Sequence, residues 1–368
     1  MNTIYTALGM MSGTSFDGID LSIIETDGKD YLRLKKNFYY PYDSKIKKLL
    51  YNCKKKLSNK DSKTILKSSL FKESSRVITM LHAKAAHSIL RVYKKKVHLV
   101  GFHGITIDHN PSKKITIQLG DPLLLKQIIN LPIVFNFRQN DLKNGGEGAP
   151  LIPVYHRALA KKIKEKKPTL FINVGGISNF TYINKNKMFA SDIGPGNCLL
   201  DEWISSHTGM PYDKNGKMSS SGIVDFHFIS NFTDRLEHSK KKNVSYDTSD
   251  FSISELRGLS VEDGAATLSY LTAQLIADLI NSYPKVKNVY FGGGGRKNLC
   301  LMKVIKKLTK TNIVDLDKIG IDGDFIESQA FAYLAIRSLL KLPITFKDTT
   351  GSKKSVSGGV VYRLLKKS

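Results

Sequence analysis

TALGMMSGTSFDGIDLSIIE, residues 6–25, sets the pattern on which this chain is built. Two apolar stretches, residues 5–8 and 19–25, flank a loop of Gly, Ser, Thr and Asp, so the chain is predicted to open with a β-hairpin. At its tip Gly13 and Gly18 let main-chain N–H groups approach the oxygens of an anion, and Thr14 and Ser15 add hydroxyl donors. Asp17 and Asp20 are carboxylates of the kind that holds Mg2+, directly or through water. The same residues also make a good ordinary turn, so the loop by itself leaves both readings open.

Outward from that hairpin, helical and strand patterns alternate. Residues 44–96 are Lys-rich with a helical period that puts Ile78, Leu81, Ala85 and Ile89 on one face, and strands are predicted at 97–102, 115–119 and 132–137. A Gly- and Asn-rich stretch at 139–150 interrupts the pattern. Strands at 169–174 and 179–183 then surround Gly175-Gly176, and a third follows at 188–192. A helix over 261–283 carries Leu268, Leu271, Leu275 and Leu279, and a strand at 287–291 runs into four glycines at 292–295. The last helix is predicted at 325–340. The second half thus repeats the plan of the first. At 368 residues the chain suits two domains with a cleft, expected at 1–130 plus 344–368 and at 131–343.

Two more loops lie at strand ends. Ser191-Asp192-Ile193-Gly194-Pro195-Gly196-Asn197 offers main-chain donors ahead of a helix together with one carboxylate, an arrangement that suits a general base beside bound phosphate. A rigid turn with a capping Asp is the plainer alternative. Gly292, Gly293, Gly294 and Gly295 would form a flat platform for an adenine ring, or a generic strand-to-helix turn. Three such loops, two of them in matching halves, are harder to obtain by chance than one. No G-x-x-x-x-G-K-[ST] occurs, which argues against a P-loop fold.

Composition excludes other classes. With 41% hydrophobic and 24% charged residues the chain is ordinarily globular. Lys+Arg 57 against Asp+Glu 32 leaves a net charge of +25, but the lysines fall in short runs at 54–56, 94–96 and 240–242 without interleaved aromatics. They read as a solvated surface, and a nucleic-acid partner would leave the glycine loops unexplained. Cys53, Cys198 and Cys300 are far apart and support neither a disulfide framework nor a zinc site. His103 and His109 show no metal-ligand spacing with Asp108 or Asp121 and read as loop or substrate contacts. No basic leader and no apolar run near the ~20 residues of a membrane span is present, so a soluble cytoplasmic protein without a membrane partner is expected.

Seven motifs carry a resemblance: Gly13-Thr14-Ser15-Phe16-Asp17-Gly18; Gly101-Phe102-His103-Gly104-Ile105-Thr106; Phe137-Arg138 with Asp141 and GGEGAP at 145–150; NVGGISN at 173–179; Asp192-Ile193-Gly194-Pro195-Gly196-Asn197; GGGGRKN at 292–298; and Glu327 with Ala330-Phe331-Ala332. In this order, across nearly the whole chain, they resemble the anhydro-N-acetylmuramic acid kinase family. The resemblance implies a two-domain actin-like α/β fold, that is, a duplicated ribonuclease H-like sugar kinase fold with a central cleft. It also implies ATP and Mg2+ as cofactors, and conversion of 1,6-anhydro-N-acetylmuramic acid and water to N-acetylmuramic acid 6-phosphate in cell-wall recycling. Position by position it sets Gly13, Thr14, Ser15, Phe16, Asp17, Gly18, Ile19 and Asp20 on the ATP phosphates, with Gly194, Gly292, Gly293 and Gly294 completing the nucleotide site. Asp192 becomes the carboxylate that activates water, Asp17 the Mg2+ ligand, and Gly104, Thr106, Arg138 and Glu327 the contacts to the sugar. Ile105 and Ile193 depart from the family's common Gln and Thr, and the expected consequence falls on affinity rather than reaction type. A kinase for another sugar and a non-catalytic ATP switch of the same fold are the alternatives. The sequence leaves a homodimer open.

Overall fold

The computed structural model describes residues 3–58, 60–185, 187–239, 246 and 248–364, and divides into two units, Met1–Lys164 with Phe325–Ser368, and Glu165–Asp324. The Lys run at 240–242 lies outside the described residues.

In the first unit the hairpin forms where predicted. β1 (Tyr5–Met11) and β2 (Gly18–Thr26) pair antiparallel, with Leu8, Met10, Ile19, Leu21 and Ile23 fully buried. Each side chain so removed from water contributes about 1.5–3 kcal/mol. A strand not foreseen, β3 (Leu32–Pro41), extends the pair as the sheet's edge. Its Arg33, Lys35 and Lys36 mask the apolar alternation and suit an edge that must not recruit other strands. After it come α1 (Ser44–Leu57), α2 (Ser62–Lys67) and α3 (Ser69–Tyr93). Asp43 caps α1, and Lys54, Lys55 and Lys56 occupy its last turn, where the helix dipole favours cations. Ile78, Ala85 and Ile89 of α3 are buried as the periodicity predicts, with Leu81 packed at their margin.

Next follow β4 (Leu99–Phe102), the hairpin β5 (Ile105–Asn110) and β6 (Ile115–Leu119), α4 (Pro122–Ile129), β7 (Ile133–Phe135), α5 (Gln139–Lys143) and α6 (Pro153–Lys162). The second unit contains β8 (Thr169–Val174), β9 (Ile177–Asn184), β10 (Lys187–Pro195), α7 (Cys198–Thr208), α8 (Phe226–Ser239), α9 (Val261–Asn281), β11 (Asn288–Gly292), α10 (Leu299–Leu308) and β12 (Asn312–Asp315). The chain then returns to the first unit with α11 (Ile326–Leu339), α12 (Lys347–Thr350) and β13 (Val360–Tyr362).

Both sheets follow one plan. The first runs β13-β7-β4-β1-β2-β3 and the second β10-β9-β8-β11-β12. In each, the strands of the opening meander pair antiparallel, the first of them pairs parallel with the fourth, and the fourth with the fifth. This is the ribonuclease H-like sheet, present twice, as in the actin-like fold. Parallel neighbours demand crossovers, and helices supply them on both sheets. In the second unit α9 buries Leu268 and Leu271, while Leu275 and Leu279 pack against the core cluster to which Phe180, Val289 and Phe291 belong.

The units divide at 164/165 and 324/325 rather than at the expected 130/131 and 343/344. Two contacts explain the difference. β7 pairs with β4, which binds everything through α6 to the first sheet. α11 lies directly on that sheet, because Gly9 and Gly101 are register partners on β1 and β4 and neither carries a Cβ. A Cβ on Gly9 would stand 1.8 Å from the Ser328 carbonyl oxygen, and one on Gly101 2.2 Å from that of Phe331. Two glycines side by side thus form the seat of a helix that the sequence reading places in the second domain. Among the described residues no helix is long and apolar enough to cross a membrane.

Candidate active site

In the first unit the β1–β2 loop is anchored from below. The buried Ser12 hydroxyl lies 2.9 Å from the Tyr42 hydroxyl and 3.3 Å from His82 Nε2. His82 Nδ1 faces the Ile78 carbonyl at 2.8 Å, so that nitrogen carries the proton and Nε2 accepts from Ser12. Burial pushes the His82 pKa down to about 4, which keeps the ring neutral. Above this anchor Phe16 takes a left-handed conformation (φ 57°), its ring in the core and its N–H donating to Gly13 O at 3.3 Å. Thr14, Ser15 and Asp17 are left exposed at the tip. Phe16 and Ile19 bury their side chains and therefore present only main chain. Gly18 is required by packing, since a Cβ there would meet Tyr40 O at 2.4 Å. Asp17 stands 3.6 Å from Lys47 Nζ.

The described residues gather no group of three or more His, Cys, Asp or Glu as a metal cage. Mg2+ that arrives with a nucleotide needs none, because it keeps waters and phosphate oxygens and takes one or two carboxylates. The exposed Asp17, with Asp20 at the start of β2, has the chemistry for that role.

A second cluster of the first unit forms around Arg138. Its guanidinium donates from Nε (3.1 Å) and Nη2 (3.0 Å) to His103 Nε2, and from Nη1 to the Gly148 carbonyl (2.8 Å). The carbonyl is held in turn by Asp141, a buried carboxylate that accepts from Gly148 N at 2.7 Å and from Thr350 Oγ1 at 2.8 Å. Gly146 packs so closely on Asp141 that a Cβ would lie 2.2 Å from its Oδ2. Gly104 has φ 74°, and a Cβ there would strike Leu119 O at 2.2 Å, so the turn from β4 into β5 requires glycine. Thr106 accepts from Gln118 at 3.4 Å. The Phe331 ring lies 4.5 Å from the His103 ring and 5.2 Å from Phe137, and one turn before it on α11 stands Glu327.

Glu327 and Arg138 feel one another's charge without direct contact. Burial raises the Glu327 pKa, with Arg138 opposing; burial likewise lowers that of Arg138 to about 10, against Glu327 and Asp141, and it remains a cation at neutral pH. A carboxyl whose pKa is higher in the folded chain adds stability below its unfolded pKa and loses it as pH rises through the folded one. Ionising Glu327 in the folded chain is thus a cost. Glu327→Gln is expected to melt higher than the parent at pH 7, with the gain vanishing below about pH 4.5. Calorimetry across that range checks it, and a lower melting point at pH 7 would refute it.

In the second unit the other two glycine loops and the 175–176 turn converge. Gly196 N and Cys198 N donate to Gly176 O at 2.9 and 3.1 Å, and Asn197 N to Gly175 O at 2.8 Å. A Cβ on Gly196 would lie 2.3 Å from Gly175 O. Gly293 (φ 78°) sits against Asn173 Oδ1 and Val174 O, where a Cβ would approach to 2.5 and 2.7 Å, while Gly294 is exposed beside Asn197. Gly292 closes β11. The buried Arg296 pins the platform, donating to Gly293 O (2.8 Å), Asp324 (2.5 Å) and Asp317 (2.7 Å), with Asp315 at 3.4 Å. Asp192 lies at a bulge near the end of β10, opposite Asn179, and its Oδ2 accepts from Tyr246 N at 2.8 Å. Gly194 follows on the same strand.

Within the first unit the structure brings Gly104, Thr106, Arg138 and Glu327 to the ends of β4, β5 and α11. In the second it brings Asp192, Gly194 and Gly292–Gly294 to the ends of β8, β10 and β11. Ile105 and Ile193 are buried members of the two cores. Sequence reasoning does not anticipate the Ser12–Tyr42–His82 anchor, the Arg296 clamp, or His103 as the partner of Arg138. All three are long-range pairings that no local spacing encodes.

The family model for anhydro-N-acetylmuramic acid kinase matches residues 5–364. An anhydro-N-acetylmuramic acid kinase of Pelagibacter ubique is 44% identical over 99% of this chain and 100% of its own, and one of Agrobacterium fabrum is 37% identical over the same shares. Among solved structures, component A of (R)-2-hydroxyglutaryl-CoA dehydratase from Acidaminococcus fermentans has a TM-score of 0.47 at 10% identity, covering 92% of this chain and 100% of that one. With full-length relatives at this identity and a family model spanning nearly every residue, the chain belongs to the anhydro-N-acetylmuramic acid kinase family.

Proposed function

We propose that this protein opens 1,6-anhydro-N-acetylmuramic acid with water and transfers the γ-phosphoryl group of ATP to O6, giving N-acetylmuramic acid 6-phosphate and ADP. The observation that carries the reading is family membership over the full chain, joined to glycine loops at strand ends in both units. Water attacks the anomeric carbon and gives its proton to Asp192. The bond from C1 to the bridging oxygen breaks, and that oxygen, still attached to C6, attacks the γ-phosphorus as ADP leaves. Asp192 then releases its proton to solvent.

Main-chain amides of the 13–18 loop and that of Gly194 stabilise charge on the phosphates, and the exposed hydroxyls of Thr14 and Ser15 add to them. Asp17, with Asp20 nearby, would hold Mg2+, which would supply charge neutralisation on the phosphate oxygens. Gly292, Gly293 and Gly294 receive the adenosine. Arg138 and Glu327 hold the sugar, with Gly104 and Thr106 beside them. The substrates are small molecules, and the setting is the cytoplasm, where ATP and recycled wall sugars meet.

The test measures ADP release from purified protein with Mg-ATP, with and without 1,6-anhydro-N-acetylmuramic acid, and weighs the sugar product by mass spectrometry. The expected product is heavier than the sugar by one water and one phosphoryl group. ADP release indifferent to the sugar, or a product without the added water, would overturn the reading.

A further inference from the structure

We propose that His103 is the positioning residue of this site: its imidazole, bare at Nε2, accepts both Nε–H and Nη2–H of Arg138 and so fixes the plane in which the arginine meets the sugar. This inference rests on the reading that Arg138 faces the sugar.

Geometry dictates the tautomer. Nδ1 of His103 faces the carbonyl oxygen of Gly104 at 2.9 Å, and two facing acceptors repel, so the proton sits on Nδ1. Nε2 then has a lone pair, which two N–H groups of Arg138 share at 3.0 and 3.1 Å. A guanidinium has five N–H donors in a rigid fork. His103 takes two and the Gly148 carbonyl one, which leaves one on each terminal nitrogen for a ligand.

The ring itself is wedged. Phe331 lies 4.5 Å away on one side, on the helix that carries Glu327, and Gly104, whose left-handed turn requires glycine, takes the Nδ1 bond. His103 thereby links the turn after β4, the arginine before α5 and the acid at the start of α11. The ring must stay neutral, because an imidazolium would lose its acceptor and place a second cation against the guanidinium. Its surroundings reinforce that state: burial first, then the charge of Arg138 and, more weakly, His109 and His82 hold its pKa well below the usual value, against the bond to Gly104 O. Glu327 and Asp141 direct their charge to Arg138.

The experiment compares His103→Phe, which keeps a ring against Phe331 but has no acceptor, with His103→Gln, whose amide oxygen can replace Nε2. Loss of one charged hydrogen-bond partner should raise the sugar KM about tenfold in His103→Phe, equivalent to about 1.4 kcal/mol, with the ATP KM within about twofold of the parent. His103→Gln should recover most of the loss. An unchanged sugar KM in His103→Phe, an equal rise in the ATP KM, or a His103→Gln no better than His103→Phe would each overturn the proposal.

Nitrogen-15 NMR of the unmutated protein tests the same point with no variant to fold and no substrate to turn over. The expected spectrum shows Nδ1 protonated and Nε2 bare from about pH 8 to about pH 5, across the range where an ordinary histidine titrates. A proton on Nε2, or titration near the usual value, would overturn it. A parent enzyme inert toward the anhydro sugar would instead remove the proposed substrate and leave the NMR result to judge His103.

Discussion

Asp192→Asn is expected to lose about 10²- to 10⁴-fold in kcat while its KM for ATP stays close to that of the parent. A positioned general base contributes that much, or roughly 3–5 kcal/mol of barrier. The substitution isolates this chemistry because Asn is the same size and retains an oxygen that can accept from Tyr246 N, now 2.8 Å from Asp192 Oδ2. The bulge that aims residue 192 is a backbone feature, set by pairing with Asn179 and Ser178 on β9, and should persist. Steady-state rates with saturating sugar and Mg-ATP, with circular dichroism as the control for folding, make the measurement. Turnover within threefold of the parent would remove Asp192 from the reaction.

Gly9→Ala should be the most damaging small change to the fold. In mid-strand an added methyl ordinarily helps, because glycine loses more backbone entropy than any other residue. Here the new carbon would lie 1.8 Å from the Ser328 carbonyl oxygen and 2.5 Å from Ala332 N, both main-chain atoms that move only if α11 moves. Overpacking typically costs about 1–3 kcal/mol, and a clash with a helix backbone belongs at the upper end, about 3 kcal/mol. The same displacement would carry Glu327 away from Arg138, so the sugar KM should rise further than the ATP KM. Urea unfolding at constant slope gives the stability and steady-state kinetics the second effect. A variant as stable as the parent would show that α11 does not bear on β1 as closely as its backbone atoms indicate.

Local chemistry explains why much of this is legible in the sequence. The first hairpin, the strands at 169–174 and 115–119, and the helices over 261–281 and 326–339 carry strong periodicities; Gly175 and Gly120 end the two strands and Ser260 caps the first helix, so period and punctuation agree there. β3 and β12 are hidden for physical reasons: β3 is an edge strand whose Arg33, Lys35 and Lys36 break the pattern by which strands are recognised, and β12 has only four residues, Asn312–Asp315. β5 reads as a motif loop because its short run is half polar.

Taken alone, then, the sequence determined the repeated α/β plan, the glycine loops at strand ends and the family, since each depends on residue type and order along the chain. Only the tertiary structure decided which half α11 and β7 join, that Ile105 and Ile193 belong to the cores, and that His103 serves Arg138. Those outcomes depend on contacts between residues far apart in the chain: Gly9 with Ser328, Val100 and Gly101 with β7, His103 with Arg138. A linear pattern records which groups are present but not which of them the folded chain brings within hydrogen-bonding or van der Waals reach.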